Sequence, residues 1–128
     1  PNQIVSAGTA VVLDAMKAAD VKRLIVISSL GVGDSKDQVP LFFKALIATA
    51  LRNAFQDKEA QEKLVMASET DWTIIRPGGL TDGPATAAYR AGLDRSIGGQ
   101  VARADVAAFA LAQLSSDEYV GKTPAIAQ

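Results

Sequence analysis

The chain has 128 residues, 48% of them apolar, with 13 basic and 14 acidic side chains and a formal net charge of −1. That is the composition of one small globular domain and excludes a disordered chain. It contains no cysteine and no histidine, which removes disulfides, thiolate chemistry, thiolate metal sites and the commonest general base near neutral pH.

No nucleic-acid partner is expected, because such binding needs a clustered excess of Lys and Arg. The opening residues lack a basic n-region and a continuous apolar run, so they do not read as a signal peptide. Apolar residues at Ile4, Val5, Val11, Val12, Ala15, Met16 and Ala19 recur with helical spacing and predict an amphipathic helix over 4–19. Leu24-Ile25-Val26-Ile27 is a β-branched run without polar alternation, the pattern of a strand buried on both faces. Ser28, Ser29, Gly31 and Gly33 follow, then a polar loop to Gln38.

Pro40 suits a first helical turn. No Gly or Pro interrupts the chain from there to Ser68, which predicts one long helix or two abutting ones. Its most apolar part, Leu41 to Leu51, is far shorter than the roughly 20 residues a bilayer span needs and is expected to be a buried helix segment with no membrane partner. Trp72-Thr73-Ile74-Ile75 predicts a second buried strand, ended by Arg76-Pro77-Gly78-Gly79. Residues 81–101 read as loop with short elements, Asp105 to Leu114 as a helix, and Lys122 to Ala127 as a last short strand. Strands alternating with helices define an α/β fold with a parallel sheet. A soluble cytoplasmic protein is the expectation.

In an open α/β sheet, ligands bind beyond the carboxyl ends of the strands. Two segments fall there, Ser28-Ser29-Leu30-Gly31 and Arg76-Pro77-Gly78-Gly79-Leu80-Thr81. Hydroxyls can pair with a carbonyl or amide, and glycines let backbone approach a ligand. Each feature has a plainer reading. Ser28-Ser29 can open a turn, Gly78-Gly79 can be punctuation, Lys58 can be a solvated surface charge, Trp72 can be core, and Asp105 can favour a helix dipole. Taken alone, the residues leave these alternatives open.

The segments VKRLIVISSLGVGDS, DKEAQEKL, DWTIIRPGGLTDGPATAAYRAG and RADVAAFALAQLSSDEYVGKT together resemble the atypical short-chain dehydrogenase/reductases. The resemblance is to the NAD(P)H-binding group around the flavin reductase/biliverdin reductase B-like and NmrA-like proteins, and runs from Val5 to Lys122. It implies a doubly wound, Rossmann-like parallel sheet flanked by helices. It implies that Ser29 is the active-site serine near the nicotinamide and that Ser28 is its neighbour. Lys58 corresponds to the lysine of Tyr-x-x-x-Lys, which holds the nicotinamide ribose. Pro77, Gly78, Gly79 and Leu80 correspond to the loop that receives the nicotinamide carboxamide on its backbone. Arg103 and Asp105 correspond to a structural helix start.

The sequence departs from that pattern in four places. The motif tyrosine falls on Ala54, a histidine of biliverdin reductase B-like members falls on Gly79, and the usual helix-capping Ser falls on Ala102, a loss worth about 1 kcal/mol. The fourth departure is larger: there is no G-x-x-G-x-x-G turn of the kind that holds a dinucleotide pyrophosphate. The chain is therefore expected to be the C-terminal part of one NAD(P)-binding domain of about 200 residues or more, lacking the N-terminal βαβ with the glycine-rich loop. Isolated, it would leave an uncovered strand edge and exposed apolar faces. The function implied is hydride transfer from NAD(P)H, with NADPH the expected form, to a small planar acceptor such as a flavin or quinone. The alternative is a non-catalytic NAD(P)-binding sensor or assembly scaffold. No metal ligand set is expected.

Overall fold

The computed structural model describes residues 3–128. The first helix, α1 (Ile4–Ala19), matches the predicted stripe. It closes at Asp20, whose φ of 57° is left-handed. There Asp20 N–H donates to Lys17 O and Val21 N–H to Met16 O, a Schellman closure with aspartate where glycine is usual. Gln3 does not cap the first turn. Instead Asp57, distant in sequence, accepts the N–H groups of Val5 and Ser6 at 2.9 Å each. A carboxylate at a helix N-terminus satisfies orphan donors and favours the dipole, so Asp57 ties its own helix to α1.

Strand β1 (Arg23–Ile27) is followed by a 3₁₀ turn over Gly33–Gln38, where the sequence predicts irregular loop. The long uninterrupted segment forms two abutting helices, α2 (Leu41–Ala48) and α3 (Arg52–Ala67). The expectation that the apolar stretch from Leu41 is buried is wrong: α2 has no buried residue, and Leu41 and Phe42 are 82% and 69% exposed. Apolar content all round a helix signals that something covers it, and within the described residues little does.

Strand β2 (Asp71–Pro77) runs past its predicted end because its ladder continues, with Arg76 N–H donating to Pro124 O at 2.8 Å. The irregular region holds three short strands, β3 (Gly79–Thr81), β4 (Arg90–Gly92) and β5 (Gln100–Ala102). Helix α4 (Arg103–Gln113) and strand β6 (Ala125–Ala127) complete the chain.

The main sheet has the order β1-β2-β6-β4. β1, β2 and β6 are parallel, with Arg23 opposite Asp71 and Ile27 opposite Ile75. β4 pairs antiparallel to β6, so the parallel pattern holds for the strands legible in sequence and ends at this added edge. β3 and β5 form a separate parallel ribbon. Adjacent residues of a strand face opposite sides. Ile74 packs with Val26 against Val65 of α3, while Ile75 packs with Val101, Val106, Phe109 and Ile126. Trp72 is half-buried against the first of these clusters, a core residue.

On its outer side β1 has no strand partner among the described residues. Ile27 at its end is 47% exposed, and Ile4 and Val11 of α1 are 74% and 68% exposed. Among the described residues β1 thus has an open edge and α1 exposed apolar side chains. Among the described residues no helix is long and apolar enough to cross a membrane.

Candidate functional site

The carboxyl ends of β1 and β2 are held side by side beyond the formal strands. Ser28 N–H donates to Ile75 O at 2.7 Å, and Leu30 N–H donates to Pro77 O at 3.0 Å. These bonds bring the two segments singled out in sequence together. Between them and α2 opens a cleft of about 240 Å³, lined by Ser29, Leu30, Val39, Phe42, Phe43 and Pro77, with Gly78, Gly79, Gly99, Gln38, Pro40 and Gln100 completing the wall.

Four of the predicted site residues, Ser29, Pro77, Gly78 and Gly79, meet in this cleft. The other three do not line it. Ser28 lies buried behind its neighbour, and its Oγ has no hydrogen-bond partner among the described residues. Leu80 is 44% exposed on β3. Lys58 is half-buried on α3, on a helical stripe shared with Ala54 and Val65, and has no ion pair among the described residues. Val65, at one end of this stripe, packs onto the sheet, while Ala54 at the other end is exposed.

The first glycine of the pair has a definite steric role. A Cβ on Gly78 would stand 2.1 Å from Gly99 O, so only glycine lets the 98–99 turn close over β2. The same closeness occupies the backbone. Gly78 N–H donates to Ile126 O at 3.0 Å and Gly79 N–H to Gly99 O at 2.8 Å, while Pro77 has no N–H. Alternation in the β3–β5 ladder turns the Leu80 N–H away from β5. Leu80 is therefore the residue of this loop with a donor directed outward.

A buried polar cluster stands behind the cleft. Arg76 is 3% exposed and binds Glu62 through Nη2 at 2.6 Å and Nε at 3.1 Å. Its Nη1 binds Asp34 and reaches Thr123 Oγ1 at 3.3 Å. Burial pulls the Arg76 pKa down, and the bonds to Glu62 and Asp34 outweigh it, leaving it raised. Gly33 lies over this fork with φ of 61°; a Cβ there would stand 2.7 Å from Arg76 Nη2. The sequence presents Arg76 as a strand terminator, whereas it is a fully paired anchor between β2, α3 and the 3₁₀ turn.

Asp105 is structural, as the plainer reading held, but by a different route. Its buried carboxylate accepts Thr86 N–H and Ala87 N–H at 3.0 Å each and the Thr86 hydroxyl at 2.9 Å, docking the 82–88 loop onto α4. Ala102 precedes α4 and makes no side-chain cap. The sequence reading missed the aromatic wall, Phe42 and Phe43, and the opposite rim, Gly99 and Gln100. The first had a signal in the apolar run after Pro40. The second depends on β3–β5 pairing, for which three-residue strands give no periodicity.

No tyrosine completes the cleft. Both tyrosines, Tyr89 and Tyr119, pack on Phe109 in the core, and Ala54 is exposed. A dinucleotide fits these residues at one end. Ser29 in the cleft and the outward Leu80 N–H beside it suit a nicotinamide carboxamide, and Lys58 has no ion pair among the described residues and is an ammonium suited to a ribose. A phosphate-cradling glycine turn is not in the sequence.

A parallel α/β sheet with a cleft beyond its strand ends defines the class: a Rossmann-like, NAD(P)-binding type of fold. The chain belongs to the family described as NAD(P)H-binding, whose model matches residues 2–117. It is similar to ChuY, an anaerobilin reductase of Escherichia coli O157:H7, with 30% identity and a TM-score of 0.81 over 96% of this chain and 58% of that one. It is 32% identical over 107 residues to YhfK of Bacillus subtilis, an uncharacterised sugar epimerase, covering 84% of this chain and 45% of that protein. A short-chain dehydrogenase/reductase of Veillonella parvula in complex with NADP shares the fold, with a TM-score of 0.79 at 17% identity, over 96% of this chain and 58% of that one. The chain thus spans about half the length of these relatives.

Proposed function

We propose that this chain forms the nicotinamide and acceptor side of an NAD(P)H-dependent reductase of the atypical short-chain dehydrogenase type, acting on a small planar acceptor, a flavin or a quinone. The observation that carries the reading is the apolar cleft at the ends of β1 and β2, with Ser29 set against Gly78 and Gly79. Bound NADPH, the expected form, supplies the hydride. Ser29 Oγ, which donates to Leu30 O at 2.9 Å, turns to hydrogen-bond the nicotinamide or the acceptor. The Leu80 N–H orients the carboxamide, and Lys58 holds the ribose hydroxyls. The apolar wall excludes water from the transfer. With no tyrosine in the cleft, the acceptor takes its proton from solvent, which a flavin or quinone tolerates and a ketone does not.

The test is NADPH oxidation with flavin or quinone, comparing the protein with Ser29→Ala and Lys58→Ala. Losses of about tenfold or more in kcat/KM are expected, the loss of one or two transition-state hydrogen bonds. Equal rates in all three sink the assignment. The exposed Ala54 favours a second reading, a non-catalytic NAD(P)-binding sensor or assembly scaffold. That reading expects cofactor binding without turnover, and turnover well above a no-enzyme control refutes it.

A further inference from the structure

The loop that follows β3 carries a reactive pair that the cleft does not use. Of the ten aspartates in the chain, Asp82 alone precedes a glycine. Glycine has no side chain to shield its nitrogen and leaves the backbone free to turn. A Cβ built on Gly83 would meet nothing within 4 Å. Residues 82–88 are all exposed, and the Gly83 N–H makes no hydrogen bond among the described residues. The Asp82 carboxylate is 88% exposed and uses only Oδ1, which accepts from Arg103 Nη1 at 2.5 Å.

Other aspartates lack this combination. Asp57 and Asp105 are buried, and both oxygens of each accept hydrogen bonds. Asp20 is as exposed, at 87%, but precedes the β-branched Val21, whose N–H is bound to Met16 O. Asp37 precedes Gln38 inside the 3₁₀ turn.

The loop is also fixed at both ends. Thr81 pairs with Ala102 in the β3–β5 ribbon. Thr86 and Ala87 are held by Asp105 at 3.0 Å, with Ala87 at a left-handed φ of 54°. Such a φ is unfavourable for a residue with a Cβ and persists because the surroundings impose it. A backbone lengthened between these anchors strains the weaker one, and letting go of Asp105 relieves Ala87.

From these observations we propose that Asp82 is a site of isoaspartate formation, and that the change releases the 82–88 loop from Asp105. The Gly83 nitrogen attacks Cγ of the Asp82 carboxyl in its acid form. A C–N bond forms, and the carboxyl hydroxyl leaves with the amide hydrogen as one water, giving a succinimide. Water then adds back. Cleavage between Cγ and nitrogen restores aspartate. Cleavage between the backbone carbonyl carbon and nitrogen leaves the chain running through Cβ and Cγ, one methylene longer. No oxidant or second reactant is needed. Arg103 is the brake, because its bond holds the Asp82 side chain toward α4 and away from the Gly83 nitrogen.

The test ages the full chain for weeks at neutral pH, with isoaspartate read by carboxyl methylation with an isoaspartyl methyltransferase and located by peptide mass spectrometry. Label is expected to accumulate in the peptide containing residue 82 and to be absent from Asp82→Glu, which keeps a carboxylate for Arg103. Gly83→Ala should slow the reaction several-fold. Arg103→Ala should speed it about twofold to fivefold, the range open to an exposed ion pair. In the aged fraction, hydrogen exchange at Thr86 and Ala87 should be faster than in fresh protein, with exchange in β1 and β2 unchanged. Label at residue 82 no greater than in Asp82→Glu, or label favouring another aspartate, overturns the assignment. An Arg103→Ala rate equal to or below that of the parent overturns the brake, and unchanged exchange at Thr86 and Ala87 overturns the release.

Discussion

Two regions meet at the carboxyl end of β2 and are built on opposite principles. On one side the Arg76 guanidinium is buried among Glu62, Asp34 and Thr123, with its donors taken up. On the other side Ser29, Gly78 and the α2 phenylalanines line an open apolar cleft, and the adjacent Ser28 hydroxyl has no partner. One region is saturated with internal bonds and the other is left wanting them. The contrast separates what holds the chain together from what is available to a ligand. Arg76 and Pro77 are neighbours, so the saturated cluster fixes the backbone from which the cleft is made.

The largest expected effect breaks the saturated side. Glu62→Ala leaves the guanidinium buried without its main partner, which costs about 3–5 kcal/mol in such pairs. Denaturant unfolding measures it, and a loss below about 1 kcal/mol would mean that the cluster behaves as a surface ion pair. A smaller effect is expected from Gly78→Ala on the cleft side. Its Cβ meets Gly99 O at 2.1 Å, so the 98–99 turn must move away. Overpacking of this kind costs about 1–3 kcal/mol, and the displaced rim should also weaken binding of a quinone acceptor. Retention of both stability and binding would show that the turn yields freely.

The two regions differed in how far the sequence revealed them. The parallel strands were legible because Leu24–Ile27 and Trp72–Ile75 are unbroken apolar runs, and α1 because its stripe has helical spacing. Ser29 and the Pro77–Gly79 loop were legible because strand ends in such folds face one edge. Arg76 was not, since a charge after an apolar run looks like a terminus until Glu62, fourteen residues earlier, is seen to reach it. The exposure of α2 was not either: apolar composition says that a helix must be covered, and leaves open what covers it. The β3–β5 ribbon escaped because three residues cannot display a period of two. Lys58 marks the limit in the other direction. Motif resemblance assigns it to a cofactor, and nothing in the described packing brings its ammonium into the cleft.

The smallest expected effect sharpens the comparison by pH. Asp34 is the exposed arm of the saturated cluster, at 76% side-chain exposure. The hydrogen bond from Arg76 holds its carboxyl below the usual carboxylate value, more than burial raises it. A group whose folded pKa is depressed stabilises the fold fully above its unfolded value, about 4, and loses that contribution as pH falls through the folded value. Unfolding free energy should therefore decline below about pH 4, and Asp34→Asn should remove part of that slope while leaving the slope above it unchanged. Solvent screening keeps the difference at neutral pH to about 1 kcal/mol or less, well short of the Glu62→Ala loss. Binding of a quinone acceptor should not follow this titration, because Asp34 does not line the cleft. A parallel fall in binding and stability below pH 4 in the parent, absent from Asp34→Asn, would show instead that the saturated cluster and the open cleft move as one unit.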